Sequence, residues 1–157
     1  MEQRNKKICF AASAGGHFAQ IIRLKPLMEE YPCFIVTEKL ENNLKIDADA
    51  EILYLRHVNR KEWRCIYYML ANTYISFKIL LKQKPDIIIS TGALAMIPLC
   101  ILGKLMGKRL IFMESFAKVQ TKTMTGSVLY RFADYFFVQW QEMLKIYPKG
   151  IYKGGIY

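Results

Sequence analysis

Three short stretches of this chain gather residue types that can do chemistry. The first is Ser13-Ala14-Gly15-Gly16-His17. Adjacent glycines let backbone N–H groups come close to an anion, and a helix opening directly after them adds partial positive charge. His17 contributes an imidazole that can donate, accept or carry a proton near neutral pH. The spacing is neither GxGxxG nor the GK(S/T) ending of a P-loop, so it carries no dinucleotide or triphosphate signature. Taken alone it reads equally as a phosphate cradle and as a tight turn. The second stretch, Ser90-Thr91-Gly92-Ala93, sets two hydroxyls beside another glycine that permits close approach. The third, Glu114-Ser115-Phe116, offers a carboxylate that is either a base or hydroxyl-binding group, or a cap to the following turn. Lys118, Lys122 and Arg131 could face a phosphate, but each read singly is a solvated cation. Asp86 and Asp134, at element boundaries, read as structural.

The elements that must position these stretches alternate between strand and helix. Lys7 to Ala12 reads as a buried strand that delivers the Gly15-Gly16 turn, and apolar residues at Ile21, Leu24, Leu27 and Met28 predict one helix from His17 to Glu30. Cys33–Thr37 and Glu51–Arg56 read as strands, with a polar loop over 38–50 between them. A long helix is expected from Trp63 to Lys84, ended by Pro85. The β-branched run in Asp86–Ser90 predicts a strand buried on both faces, leading through Thr91-Gly92 into a helix over Ala93–Met106 with Gly107 as its C-cap. Arg109–Met113 and Tyr135–Val138 complete the strands, with a helix near Gly126–Ala133 between them and a short one over Gln141–Ile146. Repeated strand–turn–helix units of this kind make an α/β fold with one doubly wound, Rossmann-like parallel sheet. All 157 residues read as a single domain. Ligands of such sheets sit beyond the carboxyl ends of the strands, and all three chemical stretches fall there.

Composition narrows the partners. The formal net charge is +10, which favours anionic partners. The basic residues border apolar and aromatic runs instead of Gly/Ser-rich stretches, which points to a membrane surface and away from nucleic acid. Arg60, Lys61, Trp63, Arg64 and Tyr67 form the most concentrated example. Neither 65–81 nor 94–106 is an uninterrupted spanning segment, so a peripheral position on the cytoplasmic face of the membrane is expected. The polar, basic start of the chain has no signal-peptide core. Cys9, Cys33, Cys65 and Cys100 fall singly in apolar runs, without metal-ligand spacing, and read as buried free thiols. No metal and no cofactor is expected.

Lys7–Gln20, Pro85–Gly92, Phe112–Phe116 and Thr123–Lys149, with Val138-Gln139-Trp140 and Gly154-Gly155 the most specific pieces, resemble the membrane-associated subunits of two-component glycosyltransferases. These include the membrane subunit of the dolichol-linked N-acetylglucosaminyltransferase and the bacterial capsule and exopolysaccharide accessory proteins of β-1,4-galactosyltransferases. The resemblance implies the N-terminal, acceptor-side half of a GT-B glycosyltransferase, with a separate catalytic subunit carrying the nucleotide-sugar site. It implies a polyprenyl-diphosphate-linked saccharide as acceptor, held by Ser13, Gly15, Gly16, Thr91, Gly92 and Ser115, with His17 and Glu114 as catalytic candidates. Where single-chain relatives have an HEQ-type segment, this chain has Met113-Glu114-Ser115. Gly154, Gly155, Ile156 and Tyr157 are the candidate partner-binding tail. A stand-alone, nucleotide-sugar-dependent transferase is the alternative reading.

Overall fold

The computed structural model describes residues 6–39 and 50–157. Seven strands are described: β1 (Ile8–Ala12), β2 (Cys33–Glu38), β3 (Glu51–Leu55), β4 (Ile87–Gly92), β5 (Arg109–Met113), β6 (Tyr135–Val138) and β7 (Ile151–Tyr152). They form one sheet in the order β3-β2-β1-β4-β5-β6-β7, with every pairing parallel. Parallel strands need crossovers, supplied by α1 (Gly16–Ile22), α2 (Lys25–Glu30), α3 (Cys65–Gln83), α4 (Ile97–Leu105) and α5 (Met124–Leu129).

The two-residue period of a strand divides the core into two layers. From β1, Ile8, Phe10 and Ala12 pack with Phe18, Ile21 and Met28 of α1 and α2. Cys9 and Ala11 face the opposite layer, with Leu80, Leu99, Cys100 and Leu129 of α3, α4 and α5. Gly103 lets α4 lie close to β4, since a Cβ there would sit 2.1 Å from Ile88 Cδ1. Burial raises the Cys9 thiol pKa well above its usual value and pushes Cys100 up to about 12, so neither is a ready nucleophile. Cys33 and Cys65 are only half-buried, unlike the four buried thiols expected.

Differences from the expected elements have local causes. The single helix expected over 17–30 is two, because Pro26 takes the first turn of α2 and lacks the N–H that a continuous helix needs. The expected loop over 38–50 lies from 40 to 49 outside the described residues, and Glu38 closes β2. β4 runs on through Gly92. Ala93 then turns at φ 101, a region that β-carbon-bearing residues rarely adopt, into a 3-10 turn over Leu94–Met96 before α4. Gly107 does take the left-handed conformation expected of a C-cap (φ 77). β7 was expected as tail; its two residues offer too short a pattern to read from sequence.

α3 departs from the usual amphipathic arrangement. Its buried side carries Asn72, Ser76 and Gln83 beside Ile79 and Leu80, while Ile66, Tyr67, Leu70, Tyr74, Phe77 and Leu81 are exposed. Packing against the sheet therefore accounts for Tyr68 but not for the other aromatics of this segment. Two of the inward polar groups, Asn72 and Gln83, are matched to fixed partners, while the Ser76 hydroxyl has none among the described residues. Asn72 accepts from the Arg56 N–H and donates to the Arg56 carbonyl, both at 2.9 Å, tying the end of β3 to the helix. Gln83 accepts from Lys7 Nζ at 2.6 Å and donates to Glu51 at 2.8 Å. Asn72→Ala leaves two backbone groups without partners in a closed site. It is expected to lower unfolding free energy by about 1–3 kcal/mol, read from a denaturant midpoint shift at constant slope.

Candidate functional site

In the order β3-β2-β1-β4-β5, the chain proceeds outward in opposite directions from β1 and β4. The crevice beyond their carboxyl ends is the topological switch point, where open α/β sheets bind ligands. The Gly15-Gly16-His17 turn leaves β1 at this place, and Thr91-Gly92 ends β4 beside it. Two reciprocal hydrogen bonds join them: His17 Nδ1 to the Thr91 carbonyl, and the Thr91 hydroxyl to the His17 carbonyl, each 2.7 Å. A carbonyl only accepts, so Nδ1 carries the hydrogen, and Nε2 of the neutral ring keeps a lone pair. Gly92 is required here twice over: its φ is 113, and a Cβ would come 3.2 Å from the His17 ring.

A cavity of about 470 Å³ opens at this turn, lined by Gly16, His17, Gln20, Ser115, Phe116 and Tyr157. Gly15 takes φ 88, as a left-handed turn demands. A Cβ on Gly16 would meet nothing within 4 Å, so neither packing nor a positive φ requires glycine there. Gln20, absent from the sequence-based candidates, is 2% exposed, and its Nε2 has no hydrogen-bond partner. A buried amide donor left open costs about 1–3 kcal/mol, and one lining a cavity is poised to satisfy a ligand oxygen. Its signal in the sequence was faint: a polar residue one turn beyond His17, on the helix face otherwise filled by Phe18 and Ile21.

The other candidates are distributed as follows. Ser115 joins His17 at the cavity. Ser13 and Thr91 are buried, the first donating to the Ala14 carbonyl at 3.4 Å and the second spent on His17. Glu114 is 1% exposed and fully engaged by the chain itself. One oxygen accepts from Ser115 N–H and the Thr123 hydroxyl at 2.8 Å, the other from Thr123 N–H at 3.3 Å and the Tyr147 hydroxyl at 2.8 Å. This carboxylate fastens both ends of the β5–α5 loop, which walls the cavity. Burial first, and then the Glu114 charge, push the Tyr147 phenol well above its usual pKa and keep it a donor. Asp86 and Asp134 have the structural roles expected: Asp86 accepts from Lys7 N–H, and Asp134 from Leu110 N–H and the Lys104 ammonium.

The tail lies against this wall. Ile156 N–H donates to Gln139 at 2.9 Å, and the Tyr157 ring stands 4.9 Å from Phe116, which in turn packs 4.8 Å from Trp140. Arg23 lies over the Tyr157 ring. Trp63, Arg64 and Tyr67 are exposed at the start of α3, away from this cavity, with Arg60 and Lys61 just before them. Another cavity, about 540 Å³, lies by Lys6, Asp86 and Arg109 at the amino ends of β1, β4 and β5. That is the wrong end of a parallel sheet for the ligand site.

This architecture is the Rossmann-like sheet that forms the N-terminal half of GT-B glycosyltransferases and the epimerases built like them. MurG from Acinetobacter baumannii superposes with a TM-score of 0.74 at 18% identity, over 87% of this chain and 42% of its own. The UDP-GlcNAc 2-epimerase of Neisseria meningitidis, solved with UDP-GlcNAc bound, gives 0.70 at 10% identity over 96% and 47%. The chain thus spans less than half the length of these solved proteins. Residues 36–156 match the family model of "Oligosaccharide biosynthesis protein Alg14 like", and the chain belongs to that family. Among its relatives, the human UDP-N-acetylglucosamine transferase subunit ALG14 is 27% identical over 95% of this chain and 82% of its own length. The Yarrowia lipolytica subunit of the same name is 26% identical over 96% and 81%.

A Cβ on Gly126 would fall 2.1 Å from Glu114 and 2.8 Å from the Tyr147 hydroxyl. Gly126→Ala and Glu114→Ala are therefore both expected to destabilise the fold by about 2–3 kcal/mol, seen as a fall in Tm, with faster amide exchange across 115–123.

Proposed function

We propose that this chain is the acceptor-side, accessory subunit of a heteromeric sugar transferase. It binds a polyprenyl-diphosphate-linked saccharide at the membrane and recruits a catalytic partner that holds the sugar nucleotide. The observation that carries the reading is the switch-point cavity, where the Gln20 amide stands open beside His17 in a chain equivalent to half of a two-part enzyme. The relatives' names support it, since each is named as a subunit of a UDP-N-acetylglucosamine transferase. Capsular or exopolysaccharide synthesis is the pathway class that the sequence resemblance implies, and we adopt it as the narrower form of the proposal.

The acceptor saccharide enters the cavity lined by Gly16, His17, Gln20 and Ser115, where Phe116 and Tyr157 offer aromatic faces for a sugar ring. Gly15, Ser13, Thr91 and Gly92 shape the turn beneath it. The acceptor hydroxyl attacks the anomeric carbon of the partner's sugar nucleotide, the bond to the nucleoside diphosphate breaks, and the hydroxyl proton passes to the Nε2 lone pair of His17. Glu114 acts at one remove, as the positioning group of the loop. Gly154 to Tyr157 form the edge against which the partner closes.

Among the described residues no helix is long and apolar enough to cross a membrane. Attachment is through the outward face of α3, whose 19 residues extend about 28 Å. Trp63 is 84% and Ile66 73% exposed, an arrangement that lies flat on a bilayer. Arg60, Lys61, Arg64, Lys78 and Lys82 flank this face and match an anionic cytoplasmic leaflet, each worth about 1 kcal/mol near such a surface.

Three measurements test the reading. The chain alone is expected to transfer no sugar, and the complex to transfer it. Tight sugar-nucleotide binding and turnover by the isolated chain would instead establish the stand-alone transferase. His17→Ala is expected to reduce turnover of the complex by about 10²–10⁴-fold while the two subunits still co-purify. Unchanged turnover would leave His17 a structural role. Trp63→Glu with Tyr67→Glu is expected to abolish co-flotation with phosphatidylglycerol vesicles and leave Tm unchanged.

A further inference from the structure

A second cleft, of about 260 Å³, is lined by Arg60, Lys118, Lys122, Leu94, Thr123 and Thr125. Read singly, its lysines looked solvated; the fold gathers them with an arginine from the far side of β4. Among the described residues, none of the three cations makes an ion pair. Nearby acids are engaged elsewhere: Glu114 holds Ser115, Thr123 and Tyr147, and Glu62 accepts from the Asn59 amide. Like charges kept unpaired around one cleft raise its potential, and an anion is the group that relieves their repulsion.

The position of the cleft identifies the anion. Arg60 lies three residues before Trp63, where the exposed apolar face of α3 begins. Lys118 directly follows Ala117, which lines the His17 cavity, so a single loop walls both the cleft and the cavity. Apolar face, basic cleft and aromatic cavity thus follow one another in the covalent order of a prenyl chain, its diphosphate and its sugar. The His17 cavity has no lysine or arginine in its lining, and α1 is only seven residues long, so the glycine turn is poorly equipped to hold two phosphates.

Resting on the acceptor-subunit reading, we infer that Arg60, Lys118 and Lys122 grip the diphosphate of the prenyl-linked acceptor, at a subsite separate from the glycine turn. The Thr123 and Thr125 side chains border this subsite, and Leu94 faces the first isoprene units.

Titration calorimetry of the purified chain with farnesyl diphosphate tests this. Affinity is expected to fall as salt rises and to drop roughly tenfold for each of Arg60→Ala, Lys118→Ala and Lys122→Ala, while Lys118→Arg retains most of it. Lys145→Ala, an exposed lysine that lines neither the cleft nor the His17 cavity, is expected to leave it unchanged. Inorganic pyrophosphate should compete, and phosphatidylglycerol vesicles free of prenyl diphosphate should bind the Lys118→Ala and Lys122→Ala variants nearly as well as the parent. Unchanged farnesyl diphosphate affinity in the Lys118→Ala/Lys122→Ala double variant, with Tm preserved, overturns the proposal. So does an equal loss of vesicle binding, which would make the cleft a general headgroup site. Because binding is read on the chain without transfer, failure of the complex to transfer sugar would count against the subunit reading and leave this one standing.

Discussion

The pair of hydrogen bonds between His17 and Thr91 is the constraint on which the site depends. It joins the turn after β1 to the end of β4, the paired strands from which the sheet's connections diverge. The same pair orients the imidazole, assigns the hydrogen to Nδ1 and requires a glycine at position 92. Gly16 and Gln20 then line the cavity because they share the turn and the short helix that His17 anchors.

Glu114 is the counterpart on the other wall. A carboxylate removed from water is costly unless its lone pairs are filled, and four donors from three residues fill them here. That arrangement holds the start and end of a long polar loop at fixed points, so residues 115–118 keep their places between the His17 cavity and the basic cleft. The strand-end position that made Glu114 look like a base is also what lets it serve as a clamp. The difference lies in Thr123 and Tyr147, which reach it from later in the chain.

α3 connects this site to a surface. Inward, Asn72 and Gln83 answer specific partners at Lys7, on β3 and just after β3, while many of the helix's apolar residues face out. An amphipathic pattern read without tertiary context assigns the apolar side to the core. Here the sheet beneath is already covered by a narrow strip of α3 together with α4, and the wider apolar face has no partner among the described residues.

Fold class was legible because β-branched runs such as Ile87-Ile88-Ile89 and turn glycines report local preferences that the sheet does not overrule. His17 and its glycines were legible for the same reason: a strand, a glycine pair and a helix start are local events. The division of the first helix at Pro26 and the strand at Ile151–Tyr152 were less so, the one hidden by a continuous apolar period and the other too short to show one. The burial of Gln20, the hydrogen-bond partners of Glu114 and the assembly of Arg60 with Lys118 and Lys122 could be decided only by tertiary structure. Each depends on residues far apart in the chain meeting at one sheet edge, and neither burial nor an unfilled hydrogen bond is a property of a residue's type.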